Sequence, residues 1–365
     1  MNINDYDFIS DTPFLALDLD VMDRNIHRIA QLAKEANVKL RPHTKTHKST
    51  TVAEKQLEAG AIGITVAKLG EAEVMGEAGI NNILIAFPIM GKKKLQRFSE
   101  LLKRNELMVA LDDIAVAKGI NEIGEAHKKI IPIYVDVDCG LFRMGKSPEE
   151  SVPSIIEIAN LPFIEVRGLM SHTGHAGKED SDEGIKRVAI EEATILHETK
   201  LACEKLGVNI QEISVGSTST ARFIKDLPYA TEVRPGMYVY NDRGTMLNGG
   251  AKKEDCAVTV FATVVSHPSK DRIIIDAGSK TLAREPVEKE GFGYVKGHEE
   301  LIIQAVNEEH GIVEVRGHTD LKVGDVIEII PNHVCPVINL ADELHGFRQG
   351  RFERILPVNA RGKNR

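Results

Sequence analysis

Between residues 38 and 234 short apolar runs alternate with amphipathic stretches, and the alternation recurs eight times. The runs lie just before Arg41 and at residues 62–67, 82–87, 108–111, 131–136, 163–170, 210–215 and 230–234. Most are rich in Val, Ile and Leu, as strands covered on both faces are. Helical spacing of apolar residues follows several of them, at residues 71–79, 92–104, 114–127, 148–159 and, at greatest length, 182–206. A strand followed by a helix or loop implies a parallel sheet. Eight such units, spaced by roughly 20–30 residues, favour a sheet closed on itself, a TIM-like (β/α)8 barrel.

Beyond about residue 245 the texture changes. Residues 257–265, 272–276, 311–315 and 323–330 read as strands separated by turns, with no convincing helix between them. They make a second, β domain. Residues 13–20 alternate like a strand before a helix over 21–36, and that strand can belong to the β domain, which would make the barrel an insertion. The expected division is 21–244 for the barrel, and 1–20 with 245–365 for the β domain. At 365 residues and 42% hydrophobic residues there is enough chain for both.

Charge and cysteine content exclude several classes of function. The net charge of −8 argues against broad binding to nucleic acid or anionic membranes. Residues 1–7 show neither the basic segment nor the apolar run of a signal peptide, and no later run approaches a membrane span. The chain reads as cytoplasmic. Its four cysteines, Cys139, Cys203, Cys256 and Cys335, are too scattered for a disulfide framework, and Cys139 and Cys203 read as core.

In a barrel of this kind the working residues stand at the C-terminal ends of the strands. There the chain places His43 and Lys45, then Asp136, Asp138 and Arg143, then His172 and His175. The seventh strand ends in Gly216-Ser217-Thr218-Ser219-Thr220 and the eighth in Arg234-Pro235-Gly236-Met237-Tyr238. Glycine lets a backbone approach an anion and hydroxyls add donors, so these two neighbouring loops form a candidate phosphate site; a plain helix-capping role is the alternative. A phosphate site facing a lysine, an arginine and a histidine fits pyridoxal phosphate, with Lys45 as the Schiff-base lysine. Arg143 can bond the ring hydroxyl or simply pair with Asp136 or Asp138. His172 can lie against the ring, and His47 and His175 are equally readable as pocket or structural residues. The basic segment around Lys45 has its own bland reading as a solvated surface turn.

A last signal is Pro331-Asn332-His333-Val334-Cys335, read as the close of the β domain's final strand. In an extended segment His333 and Cys335 would share one face, and imidazole with thiolate is a zinc-preferring pair. Two ligands leave positions open for water and substrate; an ordinary core Cys and His is the alternative.

These residues resemble a known family, the fold-type III pyridoxal phosphate enzymes related to D-threonine aldolase and D-serine dehydratase, distant relatives of alanine racemase. Arg41-Pro42-His43-Thr44-Lys45-Thr46-His47-Lys48 resembles its cofactor-lysine motif, residues 136–145 its Asp and Arg segment, the two glycine loops its phosphate loops, and Pro331-Asn332-His333-Val334-Cys335 its metal motif. The resemblance implies that Lys45 carries the cofactor, that Arg143 and His172 border its ring, and that Gly216, Ser217, Thr218, Gly236 and Met237 hold its phosphate; Tyr238, next in the chain, is a further cofactor-binding candidate. It implies a divalent metal on His333 and Cys335, zinc before manganese or magnesium. It implies a homodimer as well. His-x-Cys favours a dehydratase acting on D-serine, D-threonine or D-3-hydroxyaspartate, with D-threonine aldolase as the alternative and a non-catalytic pyridoxal phosphate carrier as a third reading.

Overall fold

The structure, a computed structural model, describes residues 11–365. The part of the expected β domain at residues 1–10, and the segment read for a signal peptide, lie outside the described residues. The chain forms two compact units. One takes the chain up to Ile26, then Thr46–Ser49 and Met237–Arg361; the other takes His27–Lys45, Thr50–Gly236 and Gly362–Arg365.

Chain order begins with strand β1 (Phe14–Asp18) and helix α1 (Leu19–Glu35), followed by β2 (Lys39–Leu40), α2 (Thr50–Glu58), β3 (Ile64–Val66), α3 (Leu69–Glu77) and β4 (Ile83–Ile85). Then come α4 (Lys92–Leu102), β5 (Leu107–Leu111), α5 (Ile114–His127), β6 (Ile131–Asp136), α6 (Pro148–Ala159), β7 (Ile164–Met170), α7 (Asp182–Lys205), β8 (Glu212–Val215) and β9 (Glu232–Val233). Strands β2 to β9 form one parallel eight-stranded sheet in the order β2-β9-β8-β7-β6-β5-β4-β3. A parallel bridge between His43 and Thr65, with the Ile62 N–H donating to the Leu40 carbonyl at 2.9 Å, joins its two ends and closes the barrel. All eight expected strands are present, and a short 3-10 turn over Ala221–Asp226 replaces the helix between β8 and β9.

The barrel interior has two materials. Leu84, Met108, Ala110, Tyr134 and Met170 pack an apolar cluster on the β4–β7 side. Toward β2, β8 and β9 it holds buried charge. Arg41 Nε meets Glu232 Oε2 at 2.7 Å, with Arg41 3% and Glu232 0% exposed. The Ser214 hydroxyl donates to the other Glu232 oxygen at 2.5 Å and itself accepts from Arg234, whose second nitrogen donates to the Ser171 carbonyl. A charge this deep is tolerable only with close polar partners: Arg41 is paired with Glu232, and Arg234 is held by its bonds to Ser214 and Ser171.

The second unit is built on a nine-stranded sheet of β1 with β10 (Val258–Ser269), β11 (Arg272–Ile275), β12 (Tyr294–Val295), β13 (Leu301–Val306), β14 (Gly311–Val315), β15 (Val326–Ile330), β16 (Glu343–Arg348) and β17 (Arg351–Pro357). Strand β1 pairs antiparallel to β10 and parallel to β16, so the first strand of the chain belongs to this sheet. Phe14 stacks on Phe261 with ring centres 5.1 Å apart, and Ala16 and Phe347 complete that core.

Two expectations need correction here. Helices α8 (Arg243–Leu247), α9 (Ser279–Leu282) and α10 (Val334–Leu340) interrupt the strands, and β15 is not the last strand. The segment carrying Cys335 is therefore the first turn of α10 rather than an extended run, with His333 just before it in extended conformation. Its β-branched residues suggest a strand, but Pro336 falls in the first helical turn, where its missing N–H costs nothing. The buried carboxylate of Asp242 completes the start of the helix by accepting the Val334 N–H at 3.0 Å.

Candidate active site

In the barrel unit the segment after β2 continues between β9 and β3 although it leaves regular strand geometry at Pro42. The Arg41 N–H donates to Val233, the His43 N–H to Pro235 and the Thr44 N–H to Thr65, at 2.8–3.0 Å. The Lys45 N–H reaches the His43 ring nitrogen Nδ1 at 3.3 Å. Lys45 is half-buried, and Arg41, Thr44 and Thr46 to Ser49 are buried, so the solvated-turn reading does not hold. His47, with no exposed surface, accepts the Ser49 N–H and faces Tyr240 edge-on. It is a structural residue of the second unit.

His172, Lys45, Arg143 and Arg234 come together at the C-terminal end of the barrel. Burial, with the charges of Lys45, Arg143 and Arg234, drives His172 down to about 3, so its imidazole is neutral across the physiological range. That same positive field suits an anionic cofactor. Gly216 is buried with φ +97°, a conformation that favours glycine, and its N–H donates to Glu192 Oε2 at 3.2 Å. The next residue, Ser217, donates its N–H to Thr220 Oγ1 at 2.9 Å. Ser217 is buried and Thr218 half-buried, while Gly236 follows Pro235, whose carbonyl holds His43.

Glu192, on α7, is a residue the sequence reading missed. It is 1% exposed; one oxygen accepts from Gly216 and from the Thr173 hydroxyl at 2.9 Å, and the other has no partner among the described residues. Burial pushes it up to about 7 against the pull of Arg234 and the two donors. Burial likewise raises Asp136 to about 6, opposed by Arg234 and Arg143. Arg143 is exposed at the rim, in a loop shaped by Asp138, which accepts the Gly140 and Phe142 N–H groups at 3.0 Å. Gly145 closes this loop at φ +87°; a Cβ there would lie 2.6 Å from the Asp138 nitrogen, so only glycine fits.

The remaining predicted residues belong to the second unit. Met237 is half-buried and Tyr238 buried, in a short turn over Met237–Val239. His333 and Cys335 are brought together although Cys335 lies in the first turn of α10 and His333 just before it. Burial opposes charge on the His333 ring, but a hydrogen bond to Cys335 and the Glu285 carboxylate, 2.6 Å from Nδ1, raise it to about 9. A carboxylate behind a histidine is the usual outer support of a metal ligand. Among the described residues no group of three His, Cys, Asp or Glu side chains is set to hold a metal.

A lysine with a histidine and two arginines at the C-terminal end of a (β/α)8 barrel suits a pyridoxal phosphate enzyme. The model of the alanine racemase N-terminal domain matches residues 17–244, and that of the serine dehydratase domain matches residues 257–347. The chain belongs to the fold-type III pyridoxal phosphate enzymes, in the branch that joins D-threonine aldolases with D-serine dehydratases. It is 32% identical to a D-threonine aldolase of Arthrobacter sp., over 97% of this chain and 94% of that one. It is 33% identical to a D-threo-3-hydroxyaspartate dehydratase of Delftia sp., over 89% and 91%. Among solved structures, D-threonine aldolase of Filomicrobium marinum superposes with a TM-score of 0.90 at 31% identity, covering 96% and 95% of the two chains. A cysteine-to-alanine mutant of a D-threo-3-hydroxyaspartate dehydratase, in a metal-free form, gives 0.88 at 30% identity, covering 95% and 97%.

Proposed function

We propose that the protein is a pyridoxal phosphate- and divalent metal-dependent lyase that converts a D-3-hydroxy amino acid, D-serine, D-threonine or D-3-hydroxyaspartate, to a 2-oxo acid and ammonia, the water lost in elimination being taken back in hydrolysis. The observation that carries this reading is His333 set against Cys335 and backed by Glu285, in a chain whose barrel gathers Lys45, Arg143, His172 and Arg234. When bound, the cofactor supplies an electron sink and the metal, zinc by the N/S character of the pair, a Lewis acid for the β-hydroxyl.

The chain's own residues do the rest. Lys45 would hold the cofactor, and its amine would serve as the base for the α-proton. Arg143 would orient the ring oxygen, and the neutral His172 would border the ring without adding charge. Gly216, Ser217, Thr218, Gly236, Met237 and Tyr238 would surround the cofactor's phosphate. His333 and Cys335 fix the metal, and Glu285 fixes His333. Residues 21–244 serve as the cofactor domain, and residues 1–20 with 245–365 as the domain of the metal motif.

A homodimer is part of the proposal. Phe142 is 90% and Met90 52% exposed, in loops that follow β6 and β4 at the working end of the barrel, where apolar side chains left in water invite a second copy. Four free thiols suit a reducing compartment, the cytoplasm. Among the described residues no helix is long and apolar enough to cross a membrane.

The aldolase outcome is the second reading, favoured by the Arthrobacter and Filomicrobium relatives; the cysteine of the metal motif favours dehydration. Product analysis separates them. Metal-loaded protein given D-threonine, D-serine and D-threo-3-hydroxyaspartate is expected to release ammonia and a 2-oxo acid. Glycine with an aldehyde would make it an aldolase, and absence of any turnover would return it to a cofactor carrier.

A further inference from the structure

Thr46 directly follows Lys45 in the chain and has no exposed surface. Its hydroxyl oxygen lies 3.3 Å from Cys335 Sγ, with the thiol as donor. A metal-bound cysteine is a thiolate and has no proton to give. In the loaded protein the contact can survive only by reversing, with the threonine O–H donating to sulfur. Nothing has to move for this, because a hydroxyl both donates and accepts by rotating its hydrogen.

We propose that Thr46 is a positioning residue for the metal, donating a hydrogen bond to the Cys335 thiolate. The inference rests on reading His333 and Cys335 as the metal pair. Charge drawn from sulfur toward the hydroxyl leaves the metal more electron-poor, which strengthens it as an acid toward a substrate oxygen. The bond also fixes the direction of the sulfur lone pairs, as the Glu285 carboxylate fixes the imidazole of His333. The two ligands thus have one outer partner each: a carboxylate that enriches the nitrogen donor and a hydroxyl that tempers the sulfur donor.

Cobalt(II) is the probe, titrated into the cofactor-loaded, metal-free protein and read as difference spectra. Wild type is expected to develop a sulfur-to-cobalt charge-transfer band, and Cys335→Ala to lack it. Thr46→Val keeps the shape and loses the hydroxyl. It should bind cobalt about 10-fold more weakly and move the band to longer wavelength, because an unbonded thiolate gives up charge more easily. Thr46→Ser should restore both. If Thr46→Val does not fold by near-ultraviolet circular dichroism, Thr46→Ala is read in the same way. Wild-type affinity and an unmoved band in a folded variant lacking the hydroxyl would overturn the role of Thr46 while leaving the metal pair intact. Absence of the band from wild type would overturn the pair itself, and the inference with it.

Discussion

The lysine end of the barrel and the His333–Cys335 motif are held by very different amounts of structure. Around Lys45 the backbone N–H groups of Arg41, His43, Thr44 and Lys45 are each bound, and a buried relay of Arg41, Glu232, Ser214 and Arg234 runs inside the same strands. His333 is 40% exposed at the head of a seven-residue helix, and its pair is steadied by Glu285, Asp242 and Thr46. A covalently anchored cofactor needs one geometry, and that geometry is overdetermined. A metal that must accept a substrate oxygen needs open positions, and a two-residue motif would leave them.

Lys45→Ala breaks the first side of this comparison most directly. It is expected to abolish the visible absorbance of covalently held cofactor and to lower turnover by roughly a thousandfold or more; an unchanged spectrum would contradict the assignment. The frame beneath is tested by Glu232→Gln, which leaves the buried Arg41 guanidinium without its counter-charge. Stability should fall by about 3–5 kcal/mol in urea unfolding, and a loss below about 1 kcal/mol would show that the relay is dispensable.

A smaller effect sharpens the comparison through pH. Burial raises Glu192 from 4.5 to about 7, so the folded protein binds that proton more tightly than the unfolded chain does. Its contribution to stability is complete below pH 4.5 and is lost as pH rises through about 7. Glu192→Gln, which cannot ionise, should gain on wild type by on the order of 3 kcal/mol at about pH 8 and by little at about pH 4. Equal differences at both pH values would show that the carboxylate is not ionising against burial.

Much of this was legible in the sequence, and the parts that were not share a cause. The eight barrel strands were visible because runs such as Ile83–Ile85 are buried on both sides and must be apolar throughout. Lys45 was visible because its motif ends a strand. Glu192 was hidden in a helix with many charges, where only its place in the stripe of Ile185, Val188, Ala189, Ala193 and Leu196 marks it as inward-facing. The charged strands β16 and β17 were hidden as well; their signal was Gln349-Gly350, both at positive φ, a two-residue hairpin turn. Helix α10 depended on Asp242, 92 residues away along the chain, which no local pattern supplies.

The division between a cofactor device and a metal device is tested most directly by removing the metal alone. Protein stripped by a chelator is expected to keep the absorbance of its bound cofactor, to lose lyase turnover by more than about 100-fold, and to regain it when zinc or manganese is returned. Full turnover after complete metal removal would contradict the account.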